Sequence, residues 1–386
     1  MKKTVAVLGV ILIAVPVFAE QDDGSVTFWK KTKVSGTFDL NYNYNLNRPT
    51  TTAVQVAAGT AATNGYRTFD ANSNTFNISL VEIALENSPT DWATFRTDLD
   101  FGRDVQAYHS FGLSGAAATA GVATDIFDLQ QAYLALKAEN VGNGLTFKLG
   151  KFVTMHGAEV IEASANRNAS RGLLFNYAIP FAHTGIMASY PFSDMVALDL
   201  GVVNGWNNVL DNNNGKSVHA MFTIKPTEKV TWYLGGTVGP EATARDGLIT
   251  ALLDTTVVYA PLEAWTFTLN YDLGRVQPVT GVTSGGMPDW QGFAAYADWK
   301  TADTYGFTLR TEYFDDDVGN LAPLTGAVAS GKLFEGTLTS HWYLADGLDL
   351  RFEFRHDQGN NTSFLKGNGT SKKFQDTIGS QLVYAF

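Results

Sequence analysis

The chain has no cysteine, and after residue 15 it has no apolar run of the roughly 18 residues that a membrane-spanning helix needs. Without cysteine there can be no disulfide framework. The acidic residues outnumber the basic ones by 38 to 27, which argues against nucleic-acid binding as a main task. Because it has no disulfides, the fold must depend on backbone pairing and packing.

Motifs that carry catalytic chemistry are absent as well. The chain has no Gly-x-Ser-x-Gly, no His-Glu-x-x-His and no glycine-rich phosphate loop between a strand and a helix. Its six histidines are scattered along the chain without metal-ligand spacing. The sequence therefore predicts no enzyme activity, no catalytic residue, no metal site and no cofactor.

The first 19 residues have the pattern of a secretory signal peptide. Lys2 and Lys3 precede an apolar stretch over residues 4–15, and Pro16 separates that stretch from Val-Phe-Ala at 17–19. We expect cleavage after residue 19. We then expect a periplasmic N-terminal segment over residues 20–32 and a single barrel domain over residues 33–386.

Side chains alternate between apolar and polar along several segments of about 9 to 12 residues, the length of a tilted strand that crosses a bilayer. Successive side chains of a strand point to opposite faces. Segment 348–357 therefore has one apolar and one charged face, and segments 34–45, 265–274 and 305–313 repeat the pattern. The apolar face of the first segment consists of Leu348, Leu350, Phe352 and Phe354.

A soluble β-sandwich would also alternate, but two features favour a membrane barrel. Aromatic residues stand at strand ends, where an interfacial girdle would lie: Trp265, Trp299, Tyr305, Trp342 and Tyr343. The polar faces also carry charges of both signs in mid-strand, which suits a water-filled lumen.

Short and long connections alternate along the whole chain. Seven tight links lie near residues 87–91, 139–144, 193–194, 226–229, 261–264, 301–303 and 344–347, and eight longer stretches rich in glycine, alanine, asparagine and threonine lie between them. Fifteen connections predict an all-β, transmembrane, antiparallel, up-and-down β-barrel of about sixteen strands. Its short turns and both termini would be periplasmic, and its long loops extracellular. The count could change by two if residues 173–179 also form a strand.

The last predicted strand ends on an aromatic residue. Ile378, Leu382, Tyr384 and Phe386 alternate with polar or small residues. This ending resembles the C-terminal signature of outer-membrane barrels, whose terminal aromatic is read by the barrel assembly machinery. We therefore expect Phe386 to be the contact with that machinery.

Three stretches resemble the β-barrel porin-2 family of OmpL-like proteins. They are Gly-Lys-Phe-Val-Thr-Met-His-Gly-Ala-Glu-Val-Ile-Glu at 150–162, Asn-Arg-Asn-Ala-Ser-Arg at 166–171 and Ile-Pro-Phe-Ala-His-Thr-Gly at 179–185. The resemblance implies a porin-like barrel in which a strand opens into a long loop that returns through the Pro-Phe segment. It does not indicate the solute.

The mid-strand charges predict the lining of the lumen. The lumen-facing charges are Arg96, Asp98, Asp100, Arg310, Glu312, Arg351, Glu353 and Arg355. The longest loop, residues 154–182, is the third in this count, and in general porins the third loop folds inward. Its candidates for a pore constriction are His156, Glu159, Glu162, Arg167 and Arg171.

These features predict a passive channel for small hydrophilic solutes and ions, with mild cation preference, in the outer membrane of a Gram-negative bacterium. Its partners would be membrane lipids, lipopolysaccharide and the solutes. The oligomeric state stays open, with a homotrimer as one alternative. A second interpretation is a surface-interaction barrel, an adhesin or phage receptor, with a closed lumen.

Overall fold

A computed structural model describes residues 24–49, 63–113, 126–276, 289–316, 331–360 and 364–386. Within these residues, sixteen long strands form one closed antiparallel barrel, as the sequence predicts. The barrel strands are β1 (Thr32–Asn45), β2 (Thr75–Thr90), β3 (Ala93–Phe101), β4 (Phe127–Ala138), β5 (Leu145–Val153), β6 (Ala182–Pro191), β7 (Val196–Val203), β8 (Ser217–Thr227), β9 (Val230–Pro240), β10 (Ile249–Leu262), β11 (Trp265–Val276), β12 (Trp290–Ala302), β13 (Tyr305–Asp316), β14 (Gly331–Ala345), β15 (Leu348–Gly359) and β18 (Phe374–Ala385). A small hairpin of β16 (Phe364–Leu365) and β17 (Ser371–Lys372) precedes the last strand.

The strands pair in an up-and-down order, and the last strand returns to the first. Phe38 of β1 lies opposite Tyr384 of β18, and Leu40 lies opposite Leu382, so the ring closes without an unpaired edge. The seven tight links fall at the seven predicted positions, which places all short turns at one end of the barrel. The long connections lie at the other end.

The period-two alternation separates an outer apolar face from an inner polar face. On β15, Phe352 and Phe354 are 48% and 46% exposed, while Arg351 and Arg355 are 3% and 0% exposed. A row of exposed aromatic and aliphatic side chains around a barrel is what a lipid-facing surface requires. The inner face carries the charges.

Aromatic pairs ring the outer face at the short-turn end. The rings of Trp265 and Trp299 stack at 5.3 Å, and those of Tyr305 and Trp342 meet edge to face at 4.8 Å. Tyr343 differs from the prediction, because its ring stacks on the inward-facing His341 at 5.7 Å. Its neighbour Trp342 occupies the outer position, as the alternation requires.

The described residues also include three short α-helices, α1 (Gly24–Lys31), α2 (Val105–Tyr108) and α3 (Leu173–Tyr177), and one turn of 3-10 helix (Ala163–Ala165). The alternative of a strand over residues 173–179 is therefore wrong, since α3 occupies this stretch. None of the described helices is long and apolar enough to cross a membrane. The predicted signal peptide, residues 1–19, lies outside the described residues.

Candidate functional site in the barrel interior

The inner wall formed by β13, β14 and β15 carries three buried arginines, each paired with a carboxylate. Arg310 Nε lies 2.9 Å from a carboxylate oxygen of Glu335, and Arg355 Nη2 lies 2.7 Å from one of Asp357. Arg351 pairs in the same way with an acidic residue on its own strand. Because unpaired buried charges cost several kcal/mol, this pairing fixes the arginines in the wall.

A second sector of the wall, formed by β2 and β3, is richer in acid. Glu82, Asp98 and Asp100 are buried, and Arg96 donates to Asp98 at 2.9 Å. The hydroxyl of Tyr108 in α2 donates to Asp100 at 2.6 Å. Three acidic side chains face one guanidinium here, so carboxyl groups outnumber basic groups in this sector.

Residues 154–181, the inserted segment, join β5 to β6 and cross the interior. The Gly157 N–H donates to Asp254 of β10 at 3.1 Å, and Ser164 Oγ lies 3.0 Å from Thr37 Oγ1 of β1. Glu353 of β15 accepts two consecutive backbone N–H groups of the segment, the shorter bond at 2.7 Å. Since β1 and β10 lie seven strands apart in the ring of sixteen, the segment spans the lumen.

Three of the five constriction candidates are buried within the protein. Glu159 lies 2.6 Å from Arg310, and Arg171 donates from Nε to a backbone carbonyl of its own segment at 3.0 Å. The ring of His156 packs against that of His219, with the centroids 4.6 Å apart. These contacts stabilise the inserted segment and leave the three side chains inaccessible to solvent.

The other two candidates remain accessible to solvent. Glu162 is partly exposed and accepts a hydrogen bond from Gln130 of β4 at 2.7 Å. Arg167 is exposed and lies about midway along the segment. A solute entering the barrel could reach these two side chains, and their role in a constriction stays a prediction.

An aromatic cluster packs the segment into the long-loop half of the barrel. The ring of Phe69, from the connection between β1 and β2, lies 5.5 Å from Phe175 and 5.7 Å from Phe181. The guanidinium of Arg171 stands over the Phe69 ring at 5.3 Å, and the indole N–H of Trp290 donates to a carbonyl of the segment at 3.2 Å. Burying large apolar side chains stabilises by about 1.5–3 kcal/mol each, so the cluster holds the segment firmly.

The family model described as "Putative beta-barrel porin-2, OmpL-like" matches residues 31–386. The chain belongs to this family. No curated protein matches it.

Among solved structures it is similar to OmpT of Vibrio cholerae with its loop L8 deleted, at 12% identity and a TM-score of 0.56, covering 92% of this chain and 99% of that one. The outer-membrane channel DcaP of Acinetobacter baumannii has the same identity and TM-score, with 92% and 97% covered. OprB of Pseudomonas putida has 11% identity and a TM-score of 0.57, with 92% and 94% covered. At these identities the structures show a shared fold.

This porin-2 barrel brings together three histidines that looked scattered in the sequence. The ring of His219 lies 4.6 Å from that of His156 and 4.7 Å from that of His183. His183 Nδ1 is 3.1 Å from the carbonyl oxygen of Gly205. Among the described residues, no group of three histidine or acidic side chains is arranged to hold a metal ion. The three rings form part of the packing beneath the inserted segment.

Glu241 connects two long loops of the porin-2 barrel just beyond the end of β9. One carboxylate oxygen accepts the Trp206 N–H at 2.6 Å, and the other accepts the Ser217 hydroxyl at 2.6 Å. Burial nevertheless raises the pKa of Glu241 to about 7, because desolvation outweighs the two hydrogen bonds. This loop junction therefore responds to pH near neutrality.

Two residues that help to hold the interior together were missed in the sequence. Arg67 is buried and lies 2.9 Å from Asp357 of β15, and Phe69 stands in the aromatic cluster. Both follow a stretch rich in glycine, alanine and threonine that shows no periodicity. The signal available in the sequence was an arginine and an aromatic residue in a loop of small residues, and this signal does not indicate their partners.

Proposed function

We propose that this porin-2 family member is a passive diffusion channel for small hydrophilic solutes and ions. The family assignment supports the channel class, and the charged inner wall supports an aqueous rather than an apolar content. The observation that carries the proposal is the inserted segment, which crosses a charged lumen and leaves Glu162 and Arg167 accessible. These two side chains would line the narrowest section.

The ion preference of this channel would be mildly cationic. The sector of β2 and β3 supports this, since Glu82, Asp98 and Asp100 outnumber Arg96 there, and Glu162 extends towards β4. Reversal potentials under a KCl gradient in planar bilayers test the sign. We expect a K⁺ preference that weakens at high salt, because the screening length is shorter there. The preference should also be smaller in Glu162→Gln.

Glu139→Gln is the matched control for the ion preference, because Glu139 lies in an exposed turn and Lys137 is its one ion-pair partner among the described residues. An unchanged reversal potential in Glu162→Gln, or an anion preference of the wild type, would overturn the assignment.

The channel would lie in the outer membrane with its short turns and both termini in the periplasm and its long loops outside. Membrane lipids and lipopolysaccharide would surround the apolar face, and Phe386 would be read by the assembly machinery. A homotrimer agrees with the description of one similar structure, the in-vitro folded OmpT of Vibrio cholerae in its trimer form.

A surface-interaction barrel with a closed lumen is the second candidate, and the aromatic cluster around Phe69 favours it. Residues 171–180 are all buried, so the long-loop half of the barrel is densely packed. Ion conductance separates the two functions. Discrete conductance steps of the purified protein support the channel, whereas their absence at high protein concentration supports the closed receptor.

A further inference from the structure

A small cavity of about 90 Å³ lies against the inner wall at the short-turn end, beside the middle of the inserted segment. Its lining includes Arg167, Asp298, Thr308, His341 and Tyr343. The last four come from β12, β13 and β14, so three neighbouring strands and the inserted segment meet here. The cavity is separate from the aromatic cluster in the other half of the barrel.

Arg167 supplies a guanidinium that is free to bind a ligand. Unlike Arg310, Arg351 and Arg355, it makes no hydrogen bond or ion pair with any residue that the structure describes, and it is exposed. A guanidinium presents up to five donors in a fixed fork that fits a carboxylate in a bidentate way. Arg167 lies about midway along the inserted segment, and its side chain lines the cavity.

Asp298 supplies the opposite charge. The Thr308 hydroxyl donates to its Oδ1 at 2.7 Å, and the structure shows no hydrogen bond from the described residues to Oδ2. His341 is already held on both sides, with Nδ1 2.9 Å from Asp349 and Nε2 3.3 Å from the Thr308 hydroxyl. Glu263 and Lys300 line the cavity as well. Arg167 thus offers an available guanidinium, and Asp298 on the inner wall offers an available carboxylate oxygen.

We propose that this cavity is a recognition subsite for small zwitterionic solutes, namely α-amino acids. The solute carboxylate would bind Arg167, and its ammonium would bind Asp298. A lone anion would meet repulsion from Asp298 and a lone cation would meet it from Arg167, so both classes would bind less well than a solute that carries both charges. This proposal specifies a solute class for the channel and rests on the proposed function.

Equilibrium binding of glycine to the purified full-length protein in detergent micelles, followed by saturation-transfer NMR, tests the subsite directly. We expect saturable glycine binding, and acetate and methylammonium binding at least tenfold weaker. Arg167→Gln and Asp298→Asn should each weaken glycine binding about tenfold. The asparagine keeps an acceptor for Thr308, and Arg167 has no described bond to lose, so both variants should fold normally.

Lys137→Gln is the matched control, because it also removes one positive charge at the short-turn end, but Lys137 lies outside the cavity and pairs with Glu139 at 3.1 Å. Glycine binding should be unchanged there. Acetate binding as tightly as glycine, or glycine binding that neither Arg167→Gln nor Asp298→Asn alters, would overturn the subsite. KCl conductance of the same preparation tests the channel separately, because micellar binding does not require a conducting pore.

Discussion

Neighbouring residues of β15 are under opposite constraints, because each side chain faces either lipid or the packed interior. Phe352 is 48% exposed on the outer face, and Arg351 is 3% exposed on the inner face. Replacing Phe352 with arginine should destabilise the barrel by about 2–4 kcal/mol, the cost of a cation on the lipid face near the midplane. Urea unfolding in lipid vesicles measures this free energy. Phe352→Leu is the control, and equal stability of the arginine and leucine variants would mean that the outer face is misassigned.

Glu241 makes the loop junction sensitive to pH. Its pKa rises to about 7 from its ordinary value of 4.5, so the folded protein retains a proton that the unfolded chain loses. The resulting stabilisation is complete below pH 4.5 and is lost as pH rises through 7, on the order of 3 kcal/mol in total. The Trp206 amide should therefore lose hydrogen-exchange protection between pH 5 and 8, after correction for the intrinsic rate. Glu241→Gln should give a flat profile, and an equal loss of protection in that variant would refute the pKa assignment.

At the scale of single residues, the sequence predicted which way a strand residue points but not what it binds. Alternation placed Phe352 outside, because the period of a strand is two. The same pattern put Tyr343 outside with its neighbour Trp342, although two adjacent residues cannot share a face. The partners of Arg67 and Glu353 could not be inferred, since each of these side chains makes hydrogen bonds to residues more than a hundred positions away.

Among the elements, the inserted segment depends on a few strong anchors. Glu353 accepts the amides of Ala169 and Ser170, and the Thr339 hydroxyl donates to the same carboxylate at 2.8 Å. Glu353→Ala leaves these buried donors unsatisfied, which costs about 1–3 kcal/mol. Hydrogen exchange at the two amides should accelerate about tenfold to a hundredfold. Glu139→Ala in an exposed turn is the control, and unchanged exchange in Glu353→Ala would show that other contacts hold the segment.

Elements were predictable where a periodic pattern was long, and less so where it was short. Fifteen connections gave sixteen strands, because tight turns and long stretches alternate without exception. Residues 173–179 were ambiguous, since a run of seven mostly apolar residues fits a buried strand or a helix equally. The structure resolves this in favour of α3, whose side chains are buried on every side by the aromatic cluster.

For the molecule as a whole, the sequence predicted the closed barrel but not the residues that fill its lumen. Closure of a sixteen-stranded barrel follows from strand number and backbone pairing. The filling of the lumen does not follow, because Phe69, Arg67 and the inserted segment come from connections without periodicity. The central prediction for the whole barrel is therefore that an aqueous path runs through it and that the inserted segment narrows this path.

Single-channel conductance in planar bilayers, compared between the full chain and a variant in which residues 155–180 are replaced by a short Gly-Ser linker, tests this claim most directly. The linker must span β5 to β6, and the sixteen strands should still close, as heat-modifiable migration on a gel would show. We predict discrete KCl conductance steps for the full chain and steps several-fold larger for the variant. Equal conductance in the two proteins, or no steps in either when both are folded, would contradict the account.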